Sequence, residues 1–268
     1  MAAPIPPPIP LEVHDEGSGP VVLLLHGVGG DRTVWDAITP TLAKSFRVLA
    51  PDLRGHGRSP SPPGSQYTFD ELLGDVLALL AAKQVPSAHW VGLSGGAFLA
   101  LRGSLDHRER VRSLTMISGA AYTDSHTRSI TDRFIETYAK DGPDAYALRL
   151  LKDLYYPDWI EAHLDLADRV RDGIAHRDLG PATAWTRAVD KFDERNRIAT
   201  LTLPVLIVQG MDDAVIDPAH GRILRQSIPR AQIRILPQTG HMVPLERPTE
   251  TAEAIRGFVQ SAEASGPA

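Results

Sequence analysis

A chain of 268 residues with 43% hydrophobic and 23% charged side chains has the balance of a globular protein that buries one sizeable apolar interior, which excludes a largely disordered chain. A formal net charge of -5 and a pI near 6.0 exclude a general attraction to phosphate backbones or anionic lipid, so no nucleic-acid and no membrane partner is expected. The absence of cysteine rules out a disulfide framework and any thiolate metal site.

In chain order, residues 1–10 (MAAPIPPPIP) have neither a basic start nor a continuous apolar run, and their prolines interrupt any helix. They read as a flexible lead-in, and the chain as cytoplasmic. Val13, in the short run 11–14, is a candidate for an antiparallel edge strand. Apolar runs rich in Val, Ile and Leu at 21–25, 47–50, 90–93, 114–117 and 205–208, with a sixth at 233–236, read as buried parallel strands. None approaches the roughly 20 residues needed to cross a bilayer. Helical patterns lie between them, clearest at 68–83, where Thr68 and Glu71 have capping-box spacing and Leu72, Leu73, Val76, Leu77 and Leu80 share a face. Alternating strand and helix predicts an α/β fold, a mostly parallel twisted sheet flanked by helices.

The alternation lapses at 122–200, where Leu148, Leu151 and Leu154, then Ile160, Leu164 and Ala167, recur at helical spacing. A helical cap is expected there, inserted between a first core segment at 1–121 and a second at 201–268. Its aromatic residues, Phe134, Tyr138, Tyr155, Tyr156, Trp159 and Trp185, are read mainly as packing onto the core. The small-residue tail 261–268 is the other biased segment.

Ser94 sits in Gly92-Leu93-Ser94-Gly95-Gly96, after one predicted strand and before a predicted helix. A serine on such a sharp turn exposes its Oγ above the sheet, and small residues on either side let the backbone pass. The turn also puts the Gly95 amide at a helix N-terminus, where it can donate to an oxyanion. The base must be a histidine. His126, His163, His176 and His220 also follow Ser94, but only His241 lies in a loop just past a late strand, with Gly240 and Pro244 keeping that loop out of a helix. The acid is expected after the 205–208 strand, where Asp212 and Asp213 point apart on an extended segment, and spacing alone does not choose between them. Asp124, beyond the 114–117 strand, is a third candidate.

The turn His26-Gly27-Val28-Gly29-Gly30 offers a second oxyanion amide. As a dinucleotide loop it fails, because Arg32 stands where a third glycine is needed and Pro51 beside Asp52 disfavours a smooth strand end. His26 reads as structural. The basic stretch 102–112 is interrupted by Asp106 and Glu109 and reads as a solvated helix face. Asp212, Asp213 and Asp217 lack the glycine and glutamate of a calcium loop, and no metal or other cofactor is expected.

Four stretches, LLLHGVGG at 23–30, PDLRGHGRS at 51–59, GLSGG at 92–96, and PVLIVQGMDD at 204–213 with TGHMVPLERP at 239–248, together resemble the α/β-hydrolase superfamily over most of the chain. The resemblance implies an α/β-hydrolase fold, Ser94, Asp213 and His241 as the catalytic residues with Asp213 preferred to Asp212, an oxyanion hole of Val28 and Gly95, and a structural role for the loop carrying His56. The sequence is most similar to small capped esterases and lactonases, including 3-oxoadipate enol-lactonases. Aspartate-nucleophile branches are disfavoured by Ser94, and Met242-Val243-Pro244 replaces the tryptophan that often follows the histidine in C–C hydrolases of diketones. Gly95 departs from the larger residue usual after the serine, and is expected to widen the pocket floor. The implied activity is hydrolysis of a small carboxylic ester or lactone through an acyl-enzyme on Ser94. A C–C hydrolase, a cofactor-free lyase or oxygenase, and a ligand-binding receptor are the alternatives, and a homodimer stays open.

Overall fold

The computed structural model describes residues 6–175 and 178–265. Seven strands form one sheet, β1 (Val13–Gly17), β2 (Val21–Leu25), β3 (Arg47–Pro51), β4 (Ala88–Leu93), β5 (Val111–Ile117), β6 (Val205–Gly210) and β7 (Ala231–Leu236), in the order β1-β3-β2-β4-β5-β6-β7. β1 pairs antiparallel with β3, Val13 opposite Pro51, and every other pairing is parallel. Five of the six predicted parallel strands are longer than their apolar runs. β4 and β5 start early on Ala88-His89 and Val111–Ser113 because His89 Nδ1 lies 2.8 Å from Ser113 Oγ, giving polar residues a buried partner. Pro51 does close β3, since the edge partner β1 needs no amide from it.

The core lies on both faces of the sheet. Leu23, Leu25, Trp90, Leu114, Val205 and Ile207 point to one side, and Val22, Leu24, Val91, Leu93, Leu206 and Val208 to the other, all buried. Alternation of neighbours between faces is the strand period, and each such side chain contributes roughly 1.5–3 kcal/mol of burial. The helices are α1 (Thr39–Leu42), α2 (Phe69–Ala82), α3 (Gly95–Asp106), α4 (Ser125–Leu154), α5 (Pro157–Glu161), α6 (Leu164–Ala175), α7 (Gly180–Val189), α8 (Ala219–Ser227), α9 (Val243–Glu246) and α10 (Pro248–Ala264). The capping box of α2 forms in full, with Glu71 N donating to Thr68 Oγ1 and Thr68 N donating to Glu71 Oε2.

Between β5 and β6 the described residues are helical, α4 to α7, apart from turns and a bridge of Tyr122 to Asp193. α4 is two helical stretches meeting at Gly142, whose φ of 83° breaks the run ahead of Pro143. The lead-in departs from the flexible expectation within its described part: Ile9 N donates to Asp75 Oδ1 at 2.8 Å and the Ile9 side chain packs against the core. Residues 1–5, His176 and residues 266–268 lie outside the described residues. Among the described residues no helix is long and apolar enough to cross a membrane.

Candidate active site

Ser94 forms the corner between β4 and α3, with φ 52° and ψ -119°. A non-glycine residue there carries roughly 1–3 kcal/mol of backbone strain. The corner holds because its neighbours have no side chains: a Cβ on Gly92 would strike the backbone of Gly96 and Ala97, and one on Gly96 the backbone of Leu25 and His26. Ser94 N donates to Ile117 O at 2.9 Å, and Ser94 is partly exposed among buried neighbours.

Asp213 and His241 are brought together from the ends of β6 and β7. Their loops lock through Asp212 N donating to Thr239 O at 2.9 Å, and a Cβ on Gly210 would overlap Thr239 O and Gly240 O. His241 Nδ1 lies 2.8 Å from Asp213 Oδ2 and 3.0 Å from Oδ1, with both side chains buried. A carboxylate accepting at Nδ1 fixes the tautomer with its proton there and leaves Nε2 as the acceptor. Asp213 is itself held, accepting from Val215 N and Ile216 N at 2.9 Å each and from Gln209 Nε2 at 2.9 Å. Asp212 is exposed. Asp124 belongs to another pair: it caps α4 through Thr127 N and lies 3.1 Å from His220 Nε2. His126 bonds Ala214 O and His163 bonds Trp159 O, so neither joins His241.

Ser118, Leu154, Tyr156 and Glu246, none of them read from the sequence as part of the site, hold the His241 loop. Ser118 Oγ donates to His241 O at 2.8 Å, while His241 N and Met242 N both donate to Leu154 O at the end of α4, at 2.8 and 3.1 Å. Glu246 Oε2 accepts from Gly240 N and from Tyr156 N, each at 2.9 Å, clasping the histidine loop to the segment after α4. Burial pushes the Glu246 carboxyl above its usual range, against the pull of those amides. His241 itself stays out of a helix as expected, but Pro244 is not the reason: it sits in the first turn of α9, where a missing amide costs nothing. No spacing rule marks such contacts, although the glutamate within PLERP is the one visible in a motif.

The turn after β2 abuts the serine, since a Cβ on Gly27 would lie 3.1 Å from Ser94 Cβ and 3.6 Å from Oγ. Val28 N is 3.0 Å from where a Gly95 Cβ would stand, so the backbones of Val28 and Gly95 converge beside Ser94. His56 and His26 serve this turn. Gly29 N donates to His56 Nε2 at 3.2 Å and Leu53 N to His26 Nε2 at 2.9 Å, while each Nδ1 meets a backbone carbonyl at 2.8 Å. Both ring nitrogens of each imidazole are thus engaged by backbone groups. The loop around His56 is fixed by Arg54, which is buried and donates to both oxygens of Asp75 at 2.7 Å, and by Asp52, which accepts from Arg32 N and Arg58 N. Asp52 is thus a loop anchor. Arg102 reaches Glu194 at 2.7 Å, so the 102–112 stretch is partly a tie to the chain ahead of β6 rather than only a solvated face.

The expected widening at Gly95 does not occur. The space is taken by Val28 Cγ2 and by Trp185 of α7, 2.7 and 3.1 Å from the would-be Cβ. Tyr155 stacks on Trp159 at 5.2 Å, and Phe134 and Tyr138 pack on Tyr146. Among the described residues no three His, Cys, Asp or Glu side chains converge as a metal site.

A mostly parallel sheet of this order, a strained serine corner after β4 and an Asp–His pair at the ends of the last two strands, β6 and β7, define an α/β hydrolase. The chain belongs to that family: the pattern described as alpha/beta hydrolase fold matches residues 20–248. It is 31% identical over 238 residues to the RutD protein of Variovorax paradoxus, whose name describes a carbamate hydrolase, with 87% of this chain and 89% of that one covered. It is 28% identical to a 2-hydroxymuconate semialdehyde hydrolase of Pseudomonas sp. strain CF600, covering 94% and 91% of the two chains. Among solved structures, the enol-lactonase from Burkholderia xenovorans superposes with a TM-score of 0.85 at 28% identity, covering 93% and 96% of the two chains.

Proposed function

We propose that the protein is a serine hydrolase that cleaves a small carboxylic ester or lactone through an acyl-enzyme on Ser94. The buried Asp213–His241 pair carries this reading, because it orients an imidazole through Nδ1 at the same end of the parallel sheet as the Ser94 corner. His241 takes the Ser94 proton as Oγ attacks the carbonyl, the Val28 and Gly95 amides hold the oxyanion, and His241 returns the proton to the leaving oxygen. Water, activated by the same imidazole, then attacks the acyl-enzyme and releases the acid. Asp213 stabilises the imidazolium formed in each half.

The similarity to the Burkholderia xenovorans enol-lactonase supports ester or lactone cleavage. The names of the RutD and semialdehyde hydrolase relatives make carbamates and vinylogous diketones the second and third substrates to try, since the same serine chemistry serves all three. The test is steady-state hydrolysis of short-chain esters and γ-lactones by the wild type, Ser94→Ala and His241→Ala. Saturable turnover lost in both variants is expected; full activity in either overturns the assignment.

A further inference from the structure

We infer that the indole N–H of Trp185 is a substrate-binding donor in the wall of the Ser94 site, selecting acyl groups with a neutral hydrogen-bond acceptor one or two carbons from the scissile carbonyl. The inference rests on the assignment of Ser94 as nucleophile. Trp185 is fully buried, yet its Nε1 has no hydrogen-bond partner among the described residues. A buried donor without a partner is rare enough to need a reason, and a ligand that satisfies it is one. Trp35 and Trp90 also have unpartnered Nε1 atoms, but Trp35 lies in the core on the other face of the sheet and Trp90 packs against Gly103 and Leu73.

Only Trp185 stands beside the candidate oxyanion amides. Its Cζ2 is 3.1 Å from the Cβ position of Gly95, where Val28 N is 3.0 Å away. Nε1 and Cζ2 are both bonded to Cε2, so the N–H lies two bonds from the ring atom that meets this position. The ring cannot swing aside easily. Pro181 and Ala182 of the same helix lie 2.8 and 3.8 Å from the Cβ positions of Gly55 and Gly29, and the indole meets His56 and His26 edge-on at 5.4 and 6.2 Å. Gly95 is therefore the residue that admits the indole to the site. An indole donor is neutral, so it suits a keto or carbamate oxygen without requiring a charged partner.

The test compares methyl 3-oxobutanoate with methyl butanoate for the wild type and Trp185→Phe, which keeps an aromatic ring and deletes the donor. The preference for the oxo ester, as a ratio of kcat/KM values, is expected to fall about tenfold in the variant. Equal losses on both esters, or no loss on either, would overturn the inference by leaving the ring as wall alone. Because Trp185→Phe risks misfolding, a second measurement uses Ser94→Ala labelled with ¹⁵N at tryptophan: methyl 3-oxobutanoate should move the Trp185 indole N–H resonance downfield and methyl butanoate should not. No movement with the oxo ester overturns the proposal. That readout needs no turnover, so it remains separable from a failure of the hydrolase assignment itself.

Discussion

His241 presents Nδ1 to both oxygens of Asp213, at 2.8 and 3.0 Å, and Asp213 Oδ1 also accepts from the amides of Val215 and Ile216. The acid is thus aligned before substrate arrives. Asp213→Asn retains one carbonyl oxygen for the loop amides but presents a donor or a neutral acceptor to the imidazole, favouring the wrong tautomer. Turnover is expected to fall by about 10⁴-fold with little change in thermal unfolding; a loss below about tenfold, measured on any substrate the wild type hydrolyses, would contradict the assigned role.

Glu246 joins Gly240 N to Tyr156 N. Glu246→Ala leaves one buried and one partly buried amide without an acceptor and is expected to cost about 2–4 kcal/mol in urea unfolding, with kcat falling more than KM rises because the His241 loop loosens. Glu246→Gln keeps a carbonyl acceptor and should recover most of both losses. Equal losses in the two variants would show that the carboxylate charge, not a neutral accepting oxygen, is what matters there.

Gly92→Ala tests the serine corner. Its Cβ would overlap the backbone of Gly96 and Ala97, which no rotamer change relieves. A destabilisation of about 3 kcal/mol or failure to accumulate as folded protein is expected in circular dichroism melts. By contrast Gly257→Ala, within α10 with nothing near its Cβ, should cost nothing.

The edge strand β1 has its own pH signature. Asp15 is held down at about 2 from an ordinary 3.8, chiefly by the hydrogen bond from Arg47, with partial burial opposing and Lys83 assisting. The folded value lies below the unfolded one, so this stabilisation is complete above about pH 4 and is lost as the pH falls towards 2. The full shift is worth roughly 2.4 kcal/mol, and solvent screening at this partly exposed site reduces it to about 1 kcal/mol. Wild type and Asp15→Asn should differ by that amount in unfolding free energy at pH 7 and converge by pH 2.

Much of this was legible in the residues themselves. Strand and helix periodicity marked the parallel strands and the α2 capping box, because buried parallel strands are continuous apolar runs. Asp213 and Asp212 could not be separated by spacing, since both fit an extended turn; burial against Gln209 and Val215 separates them. Trp185, Ser118 and Glu246 matter through contacts made across the chain, Ser118 with His241 at a separation of 123 and Glu246 with Tyr156 at 90, and no local period records such contacts. Pro244 and Gly95 were misread for a similar reason: the first depends on where a short helix starts, the second on an aromatic ring arriving from α7.

The most direct test of the central claim is intact-mass spectrometry of the wild type and Ser94→Ala after exposure to a fluorophosphonate. A single adduct on the wild type, mapped to Ser94 and absent from the variant, is the predicted result. A folded wild type that takes up no adduct, or a Ser94→Ala protein that is still labelled, would contradict an activated Ser94 at the end of the His241–Asp213 relay.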